Sequence, residues 1–392
     1  MYDLVRLREE FPVLSRCVYL DSASTSQTPR RAVEAMRRYF YEYAANHGRG
    51  AHHLAVRTTE EFERTRERLG EFLGVPSGNL VFTRNTTESI NMVARGLCWK
   101  KGDEVITTAL EHHANLLPWL ALRKQGIRVK VLPQKDGMVR PTDLQEAVSA
   151  RTRLVAVNHM TNVLGTVQPV EEMARIAHDA GSAILVDAAQ SVGHMPIPPA
   201  DCFDYLAIPG HKGLLGPQGT GALYIADPGT LAVTCYGGGM VEEVTVDQFT
   251  LLPCPARFEP GTPNIPGVIG LGEAIGLVNE LNVEAIHSHE KEMGKVMREG
   301  LLATEGVTVY GPPGTAVISF NVDGRAPDLV ARLLDEQAGV CVRSGFHCAQ
   351  PLTRSLHPGG TVRASIGCYT NGEDIQALLD GVETIASGTT RS

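Results

Sequence analysis

The residues best suited to do chemistry lie in Asp204-Tyr-Leu-Ala-Ile-Pro-Gly-His-Lys-Gly-Leu-Leu-Gly-Pro-Gln-Gly-Thr-Gly221. A strand-like run ends at Pro209-Gly210, delivers His211 and Lys212, and enters a loop. There Gly213, Gly216, Gly219 and Gly221 let the backbone approach something closely. Most lysines are surface residues. One held in a crevice at a strand end can lose its proton and form a Schiff base. Twenty-five residues earlier, Ala183-Ile-Leu-Val-Asp187 is an apolar run with one carboxylate at its end. Open α/β sheets bind ligands at that end of their strands, although an aspartate there can also be a helix N-cap. Together the two residues supply what pyridoxal phosphate requires: an amine for its aldehyde and a carboxylate that keeps the ring nitrogen protonated.

A phosphate cradle stands earlier in the chain. Leu80-Val-Phe-Thr-Arg-Asn85-Thr86-Thr87-Glu88 reads as a strand, a polar turn and a helix start. Helix N-terminal amides and two hydroxyls suit a phosphate; a plain cap formed by Asn85 and Glu88 explains the same residues. Other cofactor signals are weaker. Gly270-Leu-Gly272-Glu-Ala-Ile-Gly276 approaches a dinucleotide fingerprint, but it follows a proline-rich loop rather than a strand and has the wrong spacing. The pairs His52-His53 and His112-His113 have no third metal ligand at a recognisable spacing.

Short β-rich runs at 80–83, 104–107, 129–132, 154–158, 183–186, 205–208 and 222–225 alternate with helical stretches such as 88–97, 115–124 and 169–180. That alternation predicts βαβ crossovers and a mainly parallel, doubly wound α/β sheet. Prolines crowd residues 253–266 and mark a connection. Beyond it we expect one long helical region at 267–304, strands at 307–310, 315–322 and 339–343, and a last helix at 373–386. The expected domains are a large α/β one over 19–265 and a smaller α+β one over 266–392. Residues 1–18 are expected to pack on the smaller.

With these motifs in view, the chain resembles fold-type I pyridoxal-phosphate enzymes of the class V aminotransferase group. More narrowly it resembles the Suf-type (group II) cysteine desulfurases. The likeness runs from Tyr19-Leu-Asp-Ser-Ala through Glu111-His-His-Ala-Asn, Asn158-His-Met-Thr-Asn-Val-Leu-Gly and Arg257-Phe-Glu-Pro-Gly-Thr-Pro-Asn. It ends in Arg343-Ser-Gly-Phe-His-Cys-Ala-Gln-Pro and Val362-Arg-Ala-Ser. The resemblance implies that Lys212 carries the cofactor as a Schiff base and moves the substrate's α-proton. Asp187 would pair with the ring nitrogen, Gln190 with the phenolic oxygen, and His112 would stack on the ring. Asn162 would lie beside ring and substrate. Thr86, the Thr87 amide and His211 would bind the phosphate, and Thr262 would reach the phosphate of a second subunit's cofactor. Arg363 would take the substrate carboxylate, with Arg343 and His52 nearby. Cys348 would attack the sulfur of L-cysteine and keep it as a persulfide, releasing L-alanine. Positive charge on Arg343 and His347 would favour its thiolate. Phe346 and Pro209 depart from the histidine and serine usual in that group. A homodimer is implied, as is a SufE- or SufU-like sulfur acceptor or a Suf scaffold.

Other functions use much of the same equipment. A selenocysteine lyase would need nearly the same residues. A cysteine or cystine β-lyase would release pyruvate and ammonia and have no use for Cys348. A catalytically silent scaffold would have no reason to keep Lys212, Asp187, His112, Arg363 and Cys348 together. Composition narrows the field further. The 392 residues are 43% hydrophobic with net charge −8, which suits a globular protein and argues against a nucleic-acid binder. No apolar run is long enough for a membrane span. The eight cysteines show no CxxC spacing, and no signal peptide is evident at the N-terminus. Free thiols and a cytoplasmic location are therefore expected.

Overall fold

The computed structural model describes residues 2–48 and 50–388. Seven strands form the larger sheet: β1 (Leu80–Thr83), β2 (Glu104–Thr108), β3 (Arg128–Leu132), β4 (Thr152–Asn158), β5 (Ala183–Asp187), β6 (Tyr205–Pro209) and β7 (Gly221–Ile225). Their order is β1-β7-β6-β5-β4-β2-β3. Every strand but β7 points the same way, so the sheet is mainly parallel with one reversed member. The reversal follows from chain length. Parallel neighbours need a crossover of a dozen or more residues, usually through a helix. Residues 210–220 are too few for one, and they carry Lys212.

Successive residues of a strand face opposite sides, and both sides here are covered. Phe82, Val155, Val157, Ile184, Val186, Leu206 and Ile208 pack under α1 (His53–Leu73), α3 (Val170–Asp179) and α4 (Ile265–Leu281). Val81, Leu154, Ala156, Leu185 and Ala207 face α2 (Thr86–Gly96) and Trp119. Each fully buried Val, Leu or Ile contributes roughly 1.5–3 kcal/mol relative to exposure. This double cover explains why the strands read as nearly unbroken apolar runs.

A smaller antiparallel sheet has the order β8-β9-β11-β10, formed by β8 (Val307–Tyr310), β9 (Val317–Val322), β10 (Arg343–Gly345) and β11 (Thr361–Ser365). Ile318, Phe320, Val362 and Ala364 pack on α5 (Val283–Ala303), α6 (Pro327–Ala338) and α8 (Gly372–Ala386). Near the N-terminus, Leu7, Phe11 and Leu14 pack against Leu277 and Val278 of α4 and against Tyr369. Val18–Tyr19 then pairs in parallel with Val340–Cys341, and Asp21 bridges to Ser365.

Two expectations need correction, and one element is new. The helical region at 267–304 is two helices, broken at Asn282, whose φ is +67° and whose side chain caps α5 by accepting from the Ala285 amide. The stretch 339–343 splits between two sheets, because Val340–Cys341 pairs with the N-terminal strand and Arg343–Gly345 with β11. An exposed antiparallel hairpin, Val241–Val244 with Phe249–Leu251, went unforeseen. The glycines of the 270–276 segment lie inside α4. Gly270 and Gly272 give room to Met36 and Thr65 rather than to a dinucleotide. Among the described residues no helix is long and apolar enough to cross a membrane.

Candidate active site

The C-terminal ends of β4, β5 and β6 open into a cavity of about 180 Å3. Asn158 closes β4 in register with Asp187 of β5. Asp187 is fully buried, with one carboxylate oxygen accepting from the Ala189 amide at 2.9 Å. Burial raises its pKa, while that hydrogen bond and the Lys212 charge oppose the rise. Lys212 stands in the same cavity. Burial lowers its pKa to about 8, Asp187 pulling the other way and Arg363 and Arg343 adding to the drop. The loop glycines do let the backbone approach its surroundings closely. A Cβ on Gly213 would lie 2.2 Å from the Val192 carbonyl oxygen, and one on Gly221 would lie 3.0 Å from the Asn85 Cα. They let the lysine loop press onto neighbouring backbone.

At the start of α2, the helix-cap reading holds. Asn85 caps the helix by accepting from the Glu88 amide at 3.0 Å, and the Glu88 carboxylate accepts from the Arg84 amide at 2.6 Å. That leaves Thr86 Oγ1 buried without a hydrogen-bond partner among the described residues, and His211 Nδ1 likewise. Both residues line the cavity, as does Thr87. The first amides of a helix have no intrahelical acceptor, so this corner offers donors to an anion.

Opposite lies His112. Its Nδ1 accepts from the Ala114 amide at 3.0 Å, which leaves the proton of a neutral ring on Nε2. Burial lowers its pKa to about 3, with Lys212, His113, Arg343 and Arg363 adding to the effect. Gln190 donates from Nε2 to the Ala23 carbonyl at 2.8 Å. Asn162 donates to the His347 carbonyl at 2.7 Å, while its own Oδ1 is buried and unpaired among the described residues.

The cationic wall comes from the smaller sheet. Arg363 of β11 donates to the Asn162 carbonyl at 2.8 Å, to Asp21 at 3.0 Å and to Ser24 Oγ at 2.7 Å. Its Nε is buried with no partner among the described residues. Burial lowers its pKa to about 10, so it stays charged at neutral pH. Arg343 of β10 donates to Ser24 Oγ at 2.9 Å and reaches the Cys348 Sγ at 3.6 Å. Cys348 is half-buried and lies outside the cavity lining, joined to it by this arginine.

One expectation about this site fails. His347 lends no charge to the thiol. Its Nε2 pairs with Thr361 Oγ1 at 2.9 Å, and burial lowers its pKa to about 3. His52 is an exposed N-cap of α1, accepting from the Ala55 amide, and does not line the cavity. Thr262 is exposed and outside the cavity of its own chain. Three residues were missed. Asp21 and Ser24 bind the arginines. Glu111, fully buried with its pKa raised by burial to about 8, accepts from Thr108 Oγ1, Asn115 Nδ2 and the Asn158 amide. Asp21 and Glu111 sit inside motifs noticed in the sequence and Ser24 directly follows one, but nothing in their spacing pointed to these partners.

Residues 18–378 match the aminotransferase class-V family. The chain belongs to that family. The full-length relative named probable cysteine desulfurase from Methanothermobacter thermautotrophicus is 46% identical, with 97% of each chain covered. A solved apo cysteine desulfurase from Thermococcus onnurineus superposes with a TM-score of 0.95 at 39% identity, covering 99% of each chain. A more distant solved structure is described as a C-DES mutant with glycine covalently linked to the PLP cofactor. It is 25% identical with a TM-score of 0.86, covering 98% of this chain and 99% of that one. Pyridoxal phosphate is the cofactor of the class-V family. The cavity of this member suits it: Thr86 Oγ1 and His211 Nδ1 are buried and unpaired among the described residues, Asp187 is a buried carboxylate, and Lys212 is an amine of depressed pKa.

Proposed function

We propose that this class-V protein is a pyridoxal-phosphate-dependent cysteine desulfurase of the Suf type, group II. It would convert L-cysteine to L-alanine and leave the sulfur as a persulfide on Cys348. It would work as a homodimer and pass sulfur to a SufE- or SufU-like acceptor, or to a Suf scaffold, for iron–sulfur cluster assembly or sulfur trafficking. The observation that carries this reading is the bridge made by Arg343: one guanidinium lines the lysine–aspartate cavity and also reaches the Cys348 sulfur at 3.6 Å. The family's names and the apo desulfurase likeness support it.

The residues then divide the work. Thr86 Oγ1, the Thr87 amide and His211 would hold the phosphate; Asp187 would hold the ring nitrogen and Gln190 the phenolic oxygen. Once bound, the cofactor supplies an electron sink that stabilises negative charge at the substrate Cα and loosens its Cβ–S bond. Lys212, stripped of water, takes up the Cα proton as its neutral amine. Arg363 offers its free Nε to the substrate carboxylate, and Asn162 offers its unpaired Oδ1 to the amino end. The Cys348 thiolate attacks the substrate sulfur. A new S–S bond forms as the Cβ–S bond breaks, the bonding pair stays with the carbon fragment, and a proton there completes alanine. His112, neutral and bearing its proton on Nε2, can serve that proton transfer.

The test is product identity from L-cysteine with pyridoxal phosphate and a reductant. Alanine and sulfide in equal amounts are expected. Pyruvate and ammonia in place of alanine would make the protein a β-lyase. Cys348→Ser should keep the cofactor's colour yet stop persulfide formation, and continued desulfuration by that variant would remove Cys348 from the mechanism.

A further inference from the structure

The thiol assigned above sits on a strained loop. His347 and Cys348 both have left-handed backbones, with φ of +51° and +54°. Side-chain-bearing residues rarely adopt that conformation, and two in succession persist only where their surroundings hold them. On the His347 side, Asn162 donates to the His347 carbonyl at 2.7 Å and Thr361 pairs with the His347 ring at 2.9 Å. On the far side the Ala349 amide bonds back to the Phe346 carbonyl and Arg343 reaches the Cys348 sulfur, and His113 adds two bonds of its own. The His113 backbone N–H donates to the Cys348 carbonyl at 2.6 Å. The His113 ring accepts at Nε2 from the amide of Gln350, the first residue of α7 (Gln350–Leu356), at 3.3 Å.

We propose that His113 is a positioning residue for Cys348, clasping the thiol's loop with its main-chain amide on one side and its imidazole on the other. The inference rests on the reading of Cys348 as sulfur acceptor. It assigns a role to the second histidine of the pair, which does not line the cavity. Only a neutral imidazole can accept from Gln350, and burial indeed lowers the His113 pKa from the ordinary histidine value. The placement has a further consequence. His113 follows His112 directly and opens the short turn His113–Asn115, which the buried Glu111 anchors through Asn115. The imidazole in the cofactor cavity and the clasp on the thiol thus share one rigid mount. The offset between the two is fixed by adjoining residues, although Cys348 is remote in sequence.

The experiment uses the holoenzyme with His113→Phe, which keeps bulk and loses the acceptor, and His113→Gln, which restores one. Cofactor absorbance, KM for L-cysteine, single-turnover persulfide on Cys348 and the alkylation rate of Cys348 by iodoacetamide are measured. In H113F, absorbance and KM should stay near wild type. Persulfide formation should fall roughly ten- to hundred-fold, the scale of a displaced reacting group, and alkylation should change as the loop loosens. H113Q should recover most of the loss. Persulfide formation at the wild-type rate in H113F, while Cys348→Ser blocks it, would overturn the clasp and leave the function intact. Equal loss in H113F and H113Q, with cofactor lost too, would also overturn it by showing a general structural role. Desulfuration persisting in Cys348→Ser would instead sink the underlying reading.

Discussion

Lys212 shows how a residue's setting decides its chemistry. On a surface its amine would stay protonated to about pH 10. Desolvation in the cavity brings its pKa to about 8. The neutral amine is the form that attacks an aldehyde, so its fraction rises as pH climbs toward that value and levels off above it. Apo protein mixed with pyridoxal phosphate should therefore capture it about tenfold faster per pH unit below 8, with a plateau beyond. Growth of the cofactor band in a stopped-flow pH series checks this, and a flat profile would show that another group limits capture. Lys212→Arg, which keeps its charge throughout, should capture none. Lys212 and Asp187 were legible in the sequence because strand ends are where such residues act. Asp21 and Ser24 were not, since Asp21 and Arg363 lie 342 positions apart and meet only through sheet pairing. The neutrality of His347 was equally hidden, because it depends on burial against Thr361.

At the scale of elements, the loop between β6 and β7 sets where the amine sits. Gly193 and Gly213 touch back to back, and a Cβ on Gly213 would also meet the Val192 carbonyl, which cannot swing aside as a side chain could. Gly213→Ala should displace the loop. We expect far-ultraviolet circular dichroism to stay native while cofactor affinity and turnover each drop about tenfold or more. Wild-type affinity in that variant would mean that the loop can shift without moving Lys212. The apolar runs predicted the strands well, because double burial leaves a plain signature. The direction of β7 was not in its composition; it came from the shortness of the link before it. The break at Asn282 was concealed because the flanking residues on both sides favour helix, and a single left-handed residue ends one helix and caps the next.

For the whole molecule, the exposed Thr262 makes assembly testable. If it completes a partner's phosphate site, the particle in solution should have twice the chain mass of 42.3 kDa, as light scattering would show. Thr262→Ala should bind the cofactor more weakly. Mixing that variant with Lys212→Ala should form hybrids in which one site is whole, and wild-type cofactor affinity should return at that site; a mixture that binds no more tightly than Thr262→Ala alone would place Thr262 outside any shared site. One feature bears on what such an assembly would accept. Where the two sheets meet the N-terminal segment, Arg343 and Arg363 converge on Ser24, and Asp21 is the carboxylate bonded there. Two guanidinium groups share the single Asp21 carboxylate there, with the Cys348 sulfur beside Arg343, so the corner suits an incoming carboxylate. A thiol such as cysteamine, with amine and sulfur but no carboxylate, should therefore compete poorly with L-cysteine, and equal competition would remove the two arginines from substrate choice.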